Sequence, residues 1–177
     1  MTSRQFFLSI TFLFGLTSVV VAESDADFAR AATWHEFGDR APSQNLVCGL
    51  REFYSGNLDA ALKSFTTAAK SSREHPALYA LSLLARGDND YQKSLKYLCE
   101  AVSAGKNSPW AELYLEQIWN ILPYCADTEP FLKLVEQAAE DARMRPCLRD
   151  LARAMRGRWL MQTGRFDAAT EVLKPLQ

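Results

Sequence analysis

The chain has 177 residues, of which 48% are hydrophobic and 23% charged, and its 20 basic and 21 acidic side chains leave a formal net charge of −1. A balance this close to neutral excludes capture of nucleic acid by bulk charge. The length allows a single domain with a buried core.

Residues 1–22, MTSRQFFLSITFLFGLTSVVVA, place one basic residue, Arg4, ahead of an apolar run that ends on Ala22. This is the layout of a secretory signal peptide, so residues 23–177 are expected as the exported, membrane-free domain. The alternative of an uncleaved anchor is opposed by Ser9, Thr11, Thr17 and Ser18 within the run and by the absence of a basic flank after it.

From there on, proline and glycine cut the chain into short pieces whose apolar residues recur every three or four positions, which predicts an all-α fold. A first helix is expected to start near Ser24 and end before Gly38, with His35 packed on its apolar face. Ser43 is placed to cap a second helix over 43–55, and a third follows over 58–71, with Leu58, Ala61, Leu62, Phe65, Ala68 and Ala69 on one side. Helices over 76–86 and 90–104 come next, then a pair over 109–122 and 129–142, then one carrying residues 145–159, and a last one over 166–174. Helices this short, joined by turns of two to five residues, must run antiparallel to their neighbours.

Laying the third and fifth helices over each other pairs Leu58 with Tyr91, Ala61 with Ser94, Phe65 with Leu98 and Ala68 with Ala101, each pair 33 residues apart. With Gly49 in the preceding helix and Gly56 in the turn, this resembles the tetratricopeptide repeat, whose period is about 34 residues. Gly157, Leu160, Gly164, Phe166, Ala169 and Leu173 repeat the spacing near the C-terminus. Ser82 and Asn89 depart from the family's small residue and turn glycine, and residues 108–143 keep the length of a unit without its signature. The resemblance implies a right-handed α-solenoid of eight to nine helices, in which small residues let neighbouring helices approach and each hairpin borrows its core from the next.

The last helix carries Phe166, Ala169, Val172 and Leu173 with no polar capping helix after it, an edge expected either to be covered by another molecule or domain, self-association through this helix included, or to continue into a longer chain.

Chemistry-bearing groups are sparse. The two histidines, His35 and His75, have no partner at metal-ligand spacing; His75, before Pro76, reads as a solvated turn residue. No glycine-rich phosphate cradle is present, and the acids at turns, Asp88 and Asp90, Asp127 and Glu129, suit helix starts. The expectation is therefore a non-enzymatic protein without cofactor or metal. Cys48, Cys99, Cys125 and Cys147 are separated by 51, 26 and 22 residues, a spacing that fits either two disulfides or buried thiols and leaves their pairing open. Trp110, Trp119 and Trp159 sit at helical spacing among aliphatic residues and are expected in the core.

One stripe stands out. Arg145, Arg149, Arg153 and Arg156 share one side of a helix whose other side carries Leu148, Leu151, Ala152, Met155 and Trp159. Arginine grips carboxylates bidentately, so the stripe is the candidate contact for an acidic protein or peptide partner. The competing reading is a solvated face paired with Glu136, Glu140 and Asp141. The function expected is a protein-binding scaffold in the periplasm, at the cell envelope or secreted; the alternative is an N-terminal docking segment of a larger envelope enzyme or assembly.

Overall fold

A computed structural model describes residues 42–176, and among these every regular element is helical. The expected signal peptide, the first expected helix and His35 lie outside the described residues. The elements are α1 (Gln44–Tyr54), α2 (Leu58–Ser72), α3 (His75–Gly87), α4 (Tyr91–Ala104), α5 (Trp110–Ile121), α6 (Glu129–Glu140), α7 (Pro146–Gln162) and α8 (Phe166–Leu173), with 3-10 turns at Leu122–Tyr124 and Lys174–Leu176. They fall into two compact units, one through Ala68 and the other from Ala69 onward.

In the first unit, Ser43 caps α1 as expected, its hydroxyl accepting from the Leu46 amide at 3.2 Å. That bond satisfies one of the amides a helix start leaves unpaired. Gly49 is required by packing: a Cβ there would stand 2.6 Å from the Phe65 Cδ1 and Cε1 atoms of α2. Ala61, Phe65 and Ala68 are wholly buried, and Phe65 also meets the Phe53 ring at 6.3 Å. Leu58 and Leu62, expected on the same packed face, are 52% and 39% exposed. The buried stripe is centred on Ala61, Phe65 and Ala68, which leaves Leu62 at its edge and Leu58 in the open first turn.

In the second unit each of the consecutive pairs α3 and α4, α4 and α5, α6 and α7, and α7 and α8 packs together, and α4 also meets α6 while α5 meets α7. Helix α3 is buried from Pro76 to Leu83, because its sequence offers no charged residue between His75 and Arg86. Pro76 sits in its first turn, where the missing N–H has no intrahelical partner to lose. The close approach seen at Gly49 recurs at Gly157, where a Cβ would lie 2.6 Å from Leu173 Cγ and Cδ2 of α8. At the equivalent position of the middle hairpin, Ser82 is 2% exposed and turns its hydroxyl onto the Tyr79 carbonyl at 2.6 Å.

The same turn joins all three of these hairpins. Gly56, Asn89 and Gly164 have φ of 84°, 61° and 76°, the left-handed region that glycine and asparagine enter most readily. In each, the amide of that residue donates three residues back, to Phe53, Arg86 and Met161, and the next amide donates five residues back, to Glu52, Ala85 and Leu160. This double closure satisfies the last carbonyls of the outgoing helix. Asn89 therefore keeps the turn geometry that its side chain put in question.

The three tryptophans expected in the core are half-buried. The aromatic at the centre is Phe131, 0% exposed, with Trp119 of α5 at 6.2 Å and Trp159 of α7 at 6.3 Å, both edge-on. Indole is large and carries an N–H, so these rings border the core while the smaller phenyl fills it.

Candidate functional site

The arginine stripe of α7 divides into two groups. Arg145, at the helix start, is tied to α5: its Nη2 donates to Glu112 Oε1 at 2.8 Å and to the Ser108 carbonyl at 3.1 Å. Cys147 shares the same carboxylate, its Sγ lying 3.1 Å from Glu112 Oε1. Arg149 is half-buried, with an Nε that has no hydrogen-bond partner. Arg153 and Arg156 face the other way, toward α6 and α8. Arg153 donates to Asp150 at 2.9 Å and to the Ala139 carbonyl at 2.9 Å, and Arg156 pairs with Glu136 at 2.6 Å. Of the acids expected to face the stripe, Glu136 does so, whereas Asp141 pairs with Lys106 at 2.8 Å. That lysine holds the Asp141 carboxyl below its ordinary range, chiefly through this hydrogen bond.

Arg153 and Arg156 border a cleft between α6 and α8 whose floor is α7. One lobe, about 300 Å³, has an apolar lining of Leu132, Trp159, Leu160, Ala168 and Val172, and a charged rim of Glu129, Lys133, Glu136, Arg156 and Arg165. The second, about 270 Å³, adjoins it at Arg156 and Val172 and is bordered by Glu140, Arg153 and Glu171. Helices α4 and α6 pack on each other, whereas α6 and α8 stand on either side of the cleft. The chemistry available here is recognition, through apolar contact on the floor and arginine forks on the rim. Sequence reasoning singled out Arg153 and Arg156 but missed the walls. The signal was present in the spacing of Glu129, Leu132, Lys133 and Glu136 on α6, and of Ala168 and Val172 on α8 with Arg165 at its N-cap, each a single helical face.

A second polar cluster lies at the start of α3. His75, expected to be solvated, is half-buried, and its Nδ1 lies 2.8 Å from Tyr114 Oη of α5. Its placement follows from α3 beginning at His75 itself, which seats the ring against Tyr114 and beside Gly105. Tyr114 stacks on Tyr79 at 5.1 Å, and burial pushes both phenols well above their ordinary pKa. The Tyr79 hydroxyl is buried without a partner. The contact between His75 and Tyr114 ties the start of α3 to α5.

Of the turn acids, Asp90 and Asp127 serve helix starts as expected, whereas Asp88 ends α3 as its C-cap. Asp90 accepts from the Lys93 amide at 3.0 Å and Asp127 from the Glu129 amide at 2.9 Å. The four cysteines are free thiols, Cys147 exposed and the others half-buried. Burial pushes the Cys99 thiol up to about 12, with smaller contributions from Cys125 and Glu100. Among the described residues no group of three or more His, Cys, Asp or Glu side chains could hold a metal ion, and no helix is long and apolar enough to cross a membrane. Comparison of the chain with protein-family models, curated proteins and solved structures gives no match.

Proposed function

We propose that the protein is an exported, non-enzymatic scaffold of the tetratricopeptide type, an α-solenoid of helical hairpins that acts in the periplasm or at the cell envelope by holding a partner protein. The observation that carries this reading is the recurrence of one hairpin design. A left-handed turn residue stands at Gly56, Asn89 and Gly164, a small buried residue follows at Ala61, Ser94 and Ala169, and a helix crossing closes over Gly49 and Gly157. Repeats of this kind present an extended surface, and the cleft bordered by Arg153 and Arg156 is a place on that surface where a peptide with carboxylates would be gripped.

The test is site-specific photocrosslinking from the exposed rim residue Lys133 in the native envelope, with the captured protein identified by mass spectrometry and then purified. Arg153→Glu with Arg156→Glu should reduce binding of that purified partner at least tenfold. Unchanged binding would remove the cleft from the proposal.

A further inference from the structure

The cleft between α6 and α8 has a direction. Its two lobes are lined in the same order along both walls, from Glu129 to Glu140 on α6 and from Arg165 to Pro175 along α8 and just past its end, while the floor runs the opposite way, from Leu160 to Arg153 on α7. The walls are therefore parallel, and the lobes join at Arg156 and Val172 into one groove. From Glu129 to Glu140 the α6 wall rises about 16 Å, at about 1.5 Å per residue. An extended chain covers that length with about five residues.

Eight charged side chains border the groove, and six of them already have a partner. Glu129 pairs with Lys133 at 3.5 Å and Glu136 with Arg156 at 2.6 Å, while Arg153 turns to Asp150 and Glu171 to Lys174. The other two, Arg165 and Glu140, are exposed and form no ion pair among the described residues. They stand toward opposite ends, Arg165 on the first lobe and Glu140 on the second. Between them lies the apolar lining of Leu132, Trp159 and Leu160. Along the groove, the features left for an occupant are thus a cation, an apolar bed and an anion.

We infer that the groove takes an extended segment of a partner protein, about five residues long, that presents an acidic, a bulky apolar and a basic side chain in that order. At the first, third and fifth positions these side chains share one face of an extended chain. The acid meets Arg165, the apolar side chain lies on Trp159 and Leu160, and the base meets Glu140. Arg156 and Glu136 cancel each other between the two ends. Burial of the apolar side chain supplies most of the affinity, since exposed ion pairs contribute little. The end charges select against segments charged alike at both ends and fix which way the occupant lies. The inference rests on the proposed function and narrows it, from a peptide with carboxylates to one with an acid and a base in this order.

The test is titration of the full chain with capped five-residue peptides, followed by nuclear magnetic resonance. The reference peptide carries aspartate, leucine and lysine at its first, third and fifth positions, with alanine between. Arg165→Glu should bind it about fivefold more weakly and prefer a peptide with lysine at both ends. Glu140→Lys should weaken it to a similar degree and prefer a peptide with aspartate at both ends. Serine in place of the central leucine should abolish measurable binding. Both substituted residues are exposed and without an ion pair, so the fold stays intact. No binding of the reference peptide, equal binding of the three charge patterns, wild-type behaviour of either variant, or a dimer of the chain that these variants disrupt would overturn the inference. The proposed function is read separately, from the partner captured through Lys133. A captured protein released by Arg153→Glu with Arg156→Glu, yet indifferent to Arg165→Glu and Glu140→Lys, would remove the ordered segment and leave the scaffold standing.

Discussion

Adding one methyl group at Gly157 is the sharpest probe of how the hairpins close. The new Cβ would lie 2.6 Å from Leu173 Cγ and Cδ2 and 3.0 Å from Cδ1. Carbon pairs prefer a separation of about 3.5–4.0 Å, so α8 must move by roughly 1 Å or leave its seat. Cγ stays in place when the terminal methyls rotate, so only a change of χ1, which takes Leu173 out of its seat, would relieve the conflict without moving α8. Overpacking of this kind costs about 1–3 kcal/mol, and contact on two carbons places Gly157→Ala in the upper part of that range. Against it stands the helix-interior preference for alanine over glycine, about 0.8–1 kcal/mol. The net expectation is a loss of about 1–2 kcal/mol, which for a chain of this size lowers the melting temperature by roughly 2–8 °C. Thermal denaturation followed by circular dichroism measures it. In the double variant with Leu173→Ala the loss should be less than the sum of the two single losses, because the truncated side chain no longer meets the methyl group. An unchanged or raised melting temperature for Gly157→Ala would refute the close-approach argument, and additive losses would show that Leu173 is not the obstacle.

The turns give a second expectation. Gly164→Ala has open space around its Cβ but a φ of 76°, so its cost, about 1–2 kcal/mol in a denaturant titration, comes from the backbone alone, while Asn89→Gly should be neutral or slightly stabilising. Equal effects of Asn89→Gly and Asn89→Ala would contradict the turn assignment. Among the tyrosines, Tyr114→Phe removes the hydroxyl bonded to His75 and should cost about 1 kcal/mol, whereas Tyr79→Phe removes a buried hydroxyl with no partner and should be neutral or stabilising. The reverse order in equilibrium unfolding would count against the His75 contact. For the thiols, Cys147 should react with an alkylating reagent in the native state well ahead of Cys99. A thiol held up to about 12 stays protonated, so raising the pH from 7 to 9 should do little to speed labelling of Cys99. Comparable rates followed by mass spectrometry would show that Cys99 is open to solvent.

Local pattern was legible in the sequence and placement was not. The helix periods, the Ser43 cap, the turn acids and the small residues at Gly49, Ala61 and Ala68 could all be read, because each depends on neighbours within one hairpin. His75 was misread because the residue before a proline suggests a turn, and nothing local reveals the ring of Tyr114, 39 positions away, against which it packs. Leu58 and Leu62 were placed in the core because hydrophobicity marks what a position tolerates, and an edge position tolerates leucine too. The arginine stripe was read as one surface, yet its spacing drifts around α7, so Arg145 reaches α5 while Arg153 and Arg156 reach the cleft. The cleft's walls come from two helices that are not adjacent in sequence, and no single periodic segment announces such a pair.

Phe131 has a consequence for how the second unit would come apart. One phenyl ring lies under both Trp119 and Trp159, so detachment of α6 would wet two indoles in the same event. With Trp34 and Trp110 replaced by Phe, the chain thus carries an unlabelled optical gauge of that step: a red shift of intrinsic emission arriving before the loss of helical ellipticity would mark α6 as the first segment to peel away.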